Sequence, residues 1–232
     1  MSRMWPRVAF AVLTLAVLAT GCASRNVLAE YQFRGRTLGA RMRTPPEPRV
    51  MADISLRVDS RDPVGTVFRL GTGIAKAAQV AAAQERMEKA LQAVDLPGEV
   101  RRTALEECAY VLAADPVGRA SEADYLLDLE IREYGIEAKS WNSQALFTME
   151  LSVELRDAVD GGLIWRAHLS ERSPIAPSLF SVGGAVGNMV TAVSLSELSE
   201  EDIGRGLMKL AARVATRSAD LLERDLSRAR RG

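Results

Sequence analysis

Four stretches of the chain alternate apolar and polar residues with a period of two, as strands with one buried face do. In "ADISLRV", Ala52, Ile54, Leu56 and Val58 share a face. "YLLDLEIRE" groups Tyr125, Leu127, Leu129 and Ile131. "FTMELSVELR" sets Phe147, Met149, Leu151, Val153 and Leu155 against Thr148, Glu150, Ser152, Glu154 and Arg156, and "LIWRAHL" aligns Leu163, Trp165, Ala167 and Leu169. Clean alternation implies one buried and one wet face, the habit of antiparallel sheets. "DAVDGG", residues 157–162, has the Asp and Gly content of a tight hairpin between the last two strands. Helical spacing appears over 74–94, with Met87, Leu91 and Val94 on one side, and is broken by "LPG" at 96–98. A second helix is predicted over 99–114, stopping before Pro116. A third begins near Ser199, where Ser199 and Asp202 resemble a capping box, and carries the stripe Ile203, Leu207, Leu210, Val214, Leu221 and Leu222. The order strand, two helices, three strands, helix predicts an α+β two-layer sandwich: a mainly antiparallel sheet of four to five strands, with about three helices packed on one face.

Composition narrows the function classes. Of 232 residues 47% are hydrophobic and 26% charged, which is ordinary for a globular domain. Formal net charge is zero, and aromatics are 5%. Neither a basic field nor a base-stacking surface is in evidence, so nucleic acid is not an expected partner.

The N-terminus departs from this pattern. Residues 1–7 are short and basic, 8–18 form an apolar stretch, and Ala19, Thr20 and Gly21 lead to Cys22. This is the three-part layout of a secretory signal, and its apolar run is too short for a membrane span of roughly 20 residues. "ATGC" resembles the lipobox of bacterial lipoproteins, with Leu18 one position further from the cysteine than that family prefers. The resemblance implies cleavage before Cys22, acylation of its thiol, and a covalent lipid as the chain's only added group, with no cofactor. Ala23 in place of Asp implies passage to the outer membrane. The rivals are a plain secretory signal and a disulfide between Cys22 and Cys108 in an oxidising compartment. Against the disulfide, Val100, Ala104, Cys108 and Val111 follow helical spacing on one apolar face, where a cysteine behaves as a small hydrophobe.

The resulting division is a signal peptide over 1–21, a lipidated tether over 22–50, and a single α+β periplasmic domain over 51–232. Within 25–50 six arginines face only Glu30 and Glu47, which suits either a solvated linker or contact with anionic head groups. Leu38, Ala40 and Met42 alternate with Thr37, Arg41 and Arg43, a candidate edge strand over 37–43. "PPEP", residues 45–48, ends any pairing there.

Two apolar, glycine-rich segments stand apart, 64–83 and 178–193. They are either ordinary loops with helix starts or elements for self-association or partner docking, with Gly71, Gly73, Phe180, Gly183, Gly184 and Gly187 as the contact residues. Catalytic signals are weak. The single histidine, His168, falls on a polar strand face, and no nucleophile-elbow or Walker pattern is present. One histidine and two cysteines leave a soft metal without ligands. A carboxylate pair needs no local motif, so a hydrolase stays open.

"SVELRDAVDGGLIWRAHLSER", residues 152–172, is similar to the late hairpin of small periplasmic lipoproteins related to curli-secretion factors and penicillin-binding-protein activators. The likeness runs over 125–172. It implies a domain that binds or assembles envelope machinery and transfers no functional residue. The expected function is therefore a non-enzymatic outer-membrane lipoprotein on the periplasmic face, an accessory in envelope assembly or transport. Its expected partners are the membrane, through the lipid, and other envelope proteins or a second copy. The alternatives are a lipid or cell-wall binding module and an envelope hydrolase.

Overall fold

The computed structural model describes residues 27–52, 81–138, 145–175 and 198–231. Among the described residues six strands form one sheet: β1 (Thr37–Met42), β2 (Arg49–Ala52), β3 (Asp115–Pro116), β4 (Tyr125–Ala138), β5 (Leu146–Asp157) and β6 (Leu163–Pro174). Three helices accompany it: α1, described over 81–92, α2 (Leu96–Leu112) and α3 (Glu200–Ala229). The strands lie in the order β3-β1-β4-β5-β6, with β2 beside the later half of β4. The architecture is α+β.

The sheet is mixed and has six strands, where a mainly antiparallel sheet of four to five was expected. β4–β5 and β5–β6 are antiparallel, but β1 and β2 both run parallel to β4, and β3 runs parallel to β1. Alternation reports that one face is buried and says nothing of strand direction. The chain leaves β1 and β2, passes through two helices, and returns to the end of the sheet where β1 began. A connection of that kind makes the flanking strands parallel.

The segment read as a tether supplies much of this. Leu28 and Phe33 are buried, and Phe33 packs at 4.8 Å from the Tyr125 ring. The strand expected over 37–43 is β1, and it lies inside the sheet, between β3 and β4. The proline-rich stretch then separates β1 from β2, so that both pair with one edge of β4. Gly135 makes the second pairing possible. It has φ +149°, and a Cβ there would overlap the carbonyl oxygen of Arg49.

Core residues follow the alternation closely. Tyr125, Leu127, Leu129 and Ile131 are buried, as are Phe147, Met149, Leu151, Val153 and Leu155. The β5–β6 register shifts between Leu155 and Arg156, an extra residue in β6 that buries Ile164 beside Trp165 and leaves Leu163 half-buried. Of the strand expected from Ala52 to Val58, only Ala52 falls among the described residues, as the end of β2.

"LPG" does more than end α1, for it also opens α2. Asp95 is the N-cap, accepting a hydrogen bond from the Gly98 N–H at 2.9 Å, and Pro97 sits in the first turn. Proline costs nothing there because its missing N–H has no helical partner. α3 is capped as read: Ser199 Oγ accepts from the Asp202 N–H at 3.1 Å and donates to the Asp202 carboxylate at 2.6 Å. Its stripe packs on the sheet. Gly206 lets the helix close on Phe147, where a Cβ would collide with the ring. α3 runs antiparallel to β6, because Arg213, Arg217 and Asp225 meet Ser173, Glu171 and Trp165 in reverse order.

These directions give the domain two distinct ends. The proximal end holds the starts of β1, β4 and β6, the 157–162 hairpin, and the last turns of α2 and α3. The chain joins it at Val27, whose N–H donates to the Ile164 carbonyl at 3.2 Å. The distal end holds the close of β2, β4 and β6 and the start of α3. The two are roughly 40 Å apart, the length of a 12-residue strand.

Candidate functional site

Every site residue expected from the sequence lies outside the described residues: Cys22, Gly71, Gly73, Phe180, Gly183, Gly184 and Gly187. Their attachment points are nevertheless located. Segment 53–80 joins β2 to α1, and 176–197 joins β6 to α3. All four joints gather at the distal end. Gln84 of α1 accepts from the Val50 N–H at 2.9 Å and donates to the Pro48 carbonyl at 2.8 Å. Arg86 reaches the Leu198 carbonyl at 3.3 Å. Ile175 donates its N–H to the Ala145 carbonyl at 3.1 Å.

Between α1 and the first turns of α3 is a cleft of about 440 Å³, lined by Lys89, Ala90, Val94, Glu200, Gly204 and Met208 among others. Its floor is apolar because small residues let the helices close: a Cβ on Gly204 would lie 3.4 Å from Val94 Cγ1. Its rim is charged, with Glu200 and Glu201 at the positive end of the α3 dipole and Lys89 and Arg205 beside them.

The sheet face away from the helices holds the densest electrostatics. Arg41 of β1 grips Asp128 of β4 through Nε–H to Oδ1 at 2.6 Å and Nη2–H to Oδ2 at 2.8 Å. The Asp128 side chain is only 2% exposed, and Arg156 of β5 stands 3.6 Å from its other flank. Glu154 is shared by Arg156 and Arg166, each at 2.6 Å. The ladder thus crosses β1, β4, β5 and β6. The face expected to be wet nevertheless buries Asp128, Thr148 and Ser152.

This arrangement holds charge rather than moving protons. Hydrogen bonding and attraction to Asp128 raise the Arg41 guanidinium above its ordinary value. Burial pushes the Glu154 carboxyl up, but hydrogen bonds and charge from Arg156 and Arg166 outweigh it and hold Glu154 below the usual carboxylate range. A general acid needs the opposite shift. His168 is exposed opposite Ser152, on the polar face as read. Cys108 is buried 3.9 Å from Ser218 Oγ, and burial pushes its thiol up to about 12. It is a packing residue, as its helical spacing indicated. Among the described residues, no three His, Cys, Asp or Glu side chains are placed to hold a metal ion. Among them also, no helix is long and apolar enough to cross a membrane.

The Arg41–Asp128 pair was missed in the sequence reading. Its members are 87 residues apart, and only the parallel register of β1 on β4 brings them together. Local alternation offers no signal for it, because Asp128 occupies an ordinary polar-face position of the strand beside Glu130 and Arg132.

No family model matches the chain, and no curated protein matches it. Among solved structures, the chain is similar to protein XCC0632 from Xanthomonas campestris, assigned to family DUF330, at 13% identity and a TM-score of 0.40, over 87% of this chain and 90% of that one. It is similar to the PelC dodecamer from Paraburkholderia phytofirmans at 11% identity and a TM-score of 0.34, over 79% of this chain and 87% of that one. A third likeness is to lipoprotein GNA1162 from Neisseria meningitidis, at 14% identity and a TM-score of 0.23, over 60% of this chain and 83% of that one.

Proposed function

We propose that this chain is a lipoprotein of the outer membrane, facing the periplasm. Acyl chains on Cys22 anchor it, and it acts without catalysis as an accessory in envelope assembly or transport. The observation that carries the reading is the order of basic start, apolar run, small residues and cysteine, ending five positions before Val27, the first described residue of the domain. One acyl chain binds a bilayer marginally, whereas two or more hold it stably. An anchor at Cys22 tethers the proximal end. The apolar, glycine-rich segments join the domain at the other end and supply the contacts with envelope proteins or a second copy of the chain. The saturated ion pairs around Asp128 and Glu154 favour a scaffold over a hydrolase.

Metabolic labelling with palmitate tests this reading. Label is expected in the native protein and absent from Cys22→Ser, which is released into the soluble periplasm. A Cys22→Ser protein that still takes up label rejects it. For the distal segments, Gly184→Leu is expected to change oligomer size or the crosslinked partners, and no change in either removes their proposed role.

A further inference from the structure

The described residues expose two large hydrophobic side chains, Tyr110 at 85% and Val159 at 91%. Both sit at the proximal end. Tyr110 is in the last turn of α2, its carbonyl accepting from the Ala113 N–H, and Val159 is at the tip of the β5–β6 hairpin. They are far apart in sequence and on different elements. What they share is nearness to the place where the chain joins the domain.

That place is tightly constrained if Cys22 is acylated. Four residues separate Cys22 from Val27, and the five Cα–Cα steps between the two span at most about 18 Å. The Val27 N–H is fixed on the Ile164 carbonyl, beside the hairpin, and Gly35 is fixed on the Ala113 carbonyl, beside Tyr110. A lipid at Cys22 therefore brings the hairpin and the end of α2 to the bilayer surface, while the distal end stands roughly 40 Å further out.

We propose that the proximal end of the domain rests on the lipid surface, with Tyr110 and Val159 entering the headgroup layer. The proposal rests on the acylation of Cys22. A tyrosine ring, with an apolar body and a polar tip, suits this layer. Arg34, Arg230 and Arg231 are exposed at the same end and take no ion pair among the described residues. Asp115, Asp157 and Asp160 accompany them, so apolar insertion supplies the contact and the arginines only bias it toward anionic lipid. The contact holds the domain upright and keeps its distal end away from the membrane.

The test uses the full acylated protein in phosphatidylethanolamine–phosphatidylglycerol vesicles that carry a headgroup-region spin quencher. Val159→Cys, Tyr110→Cys and Glu201→Cys are labelled with an environment-sensitive dye. Cys108, buried and with its thiol pushed up to about 12, stays unlabelled. Dyes at 159 and 110 are expected to shift to the blue and be quenched, while the dye at 201 shows neither. Dyes at 159 and 110 that behave like the one at 201 overturn the docking. Intact mass of the same samples separates the causes. Acyl chains present with unquenched dyes reject the docking alone, and a bare Cys22 rejects the anchor and the docking together.

Discussion

Removing the Arg41 side chain isolates a carboxylate that the fold has taken out of water. Asp128 is 2% exposed, and its two oxygens accept from Arg41 at 2.6 and 2.8 Å. In Arg41→Ala only Arg156 remains, 3.6 Å away and already engaged with Glu154. Breaking a buried pair from the side that leaves the charge behind costs 3–5 kcal/mol when nothing compensates. Arg156 compensates in part, so about 3 kcal/mol is expected. The reverse change differs. Arg41 is 58% exposed, and in Asp128→Ala its guanidinium turns to solvent, so about 1.5 kcal/mol is expected, for the lost hydrogen bonds and a small gap. The double alanine variant leaves no buried charge and is expected to be more stable than Arg41→Ala alone. Urea unfolding of the four proteins reads this directly. A cost for Asp128→Ala equal to that of Arg41→Ala, or a double variant weaker than Arg41→Ala, refutes the reasoning. A cost near zero for Arg41→Ala would also return residues 37–42 to the tether.

Three further outcomes are expected. Gly135→Ala forces a Cβ against the Arg49 carbonyl at a positive φ and should release β2, seen as a lower melting temperature and faster amide exchange over 49–52. Ala113 caps α2 at φ 53°, so Ala113→Gly should raise stability by about 1 kcal/mol in urea unfolding, and a loss would contradict the cap assignment. The Glu154 carboxyl titrates lower in the folded chain than its unfolded value of about 4.3, so the stability it contributes is full above that value and lost as pH falls through the folded one. The urea midpoint should hold steady from neutral pH down to about 5 and fall below about 4, less steeply in Glu154→Gln.

Much of the core was legible in the sequence because alternation and helical stripes report burial directly. Phe147 to Leu155 and Ile203 to Leu222 needed nothing beyond their own neighbours. What failed was what neighbours cannot encode. Strand direction depends on where a connection returns, so the parallel pairing of β1 and β2 with β4 was invisible. Arginines at 34, 36, 41 and 43 made a structural segment read as a linker, since the partner that buries Asp128 comes from that segment's own charge. Pro97 read as a breaker, although the Asp95 cap two residues earlier makes it a helix start. The Leu155–Arg156 register shift turned Ile164 inward against its period. The candidate site was legible only as composition, and Cys22, Gly71, Gly73, Phe180, Gly183, Gly184 and Gly187 all fall outside the described residues.

The anchor depends on one sulfur. Mass spectrometry of the mature protein purified from envelopes should find an amino terminus at Cys22 bearing two or more acyl chains. A free thiol at that position, or a chain beginning at any other residue, would contradict it.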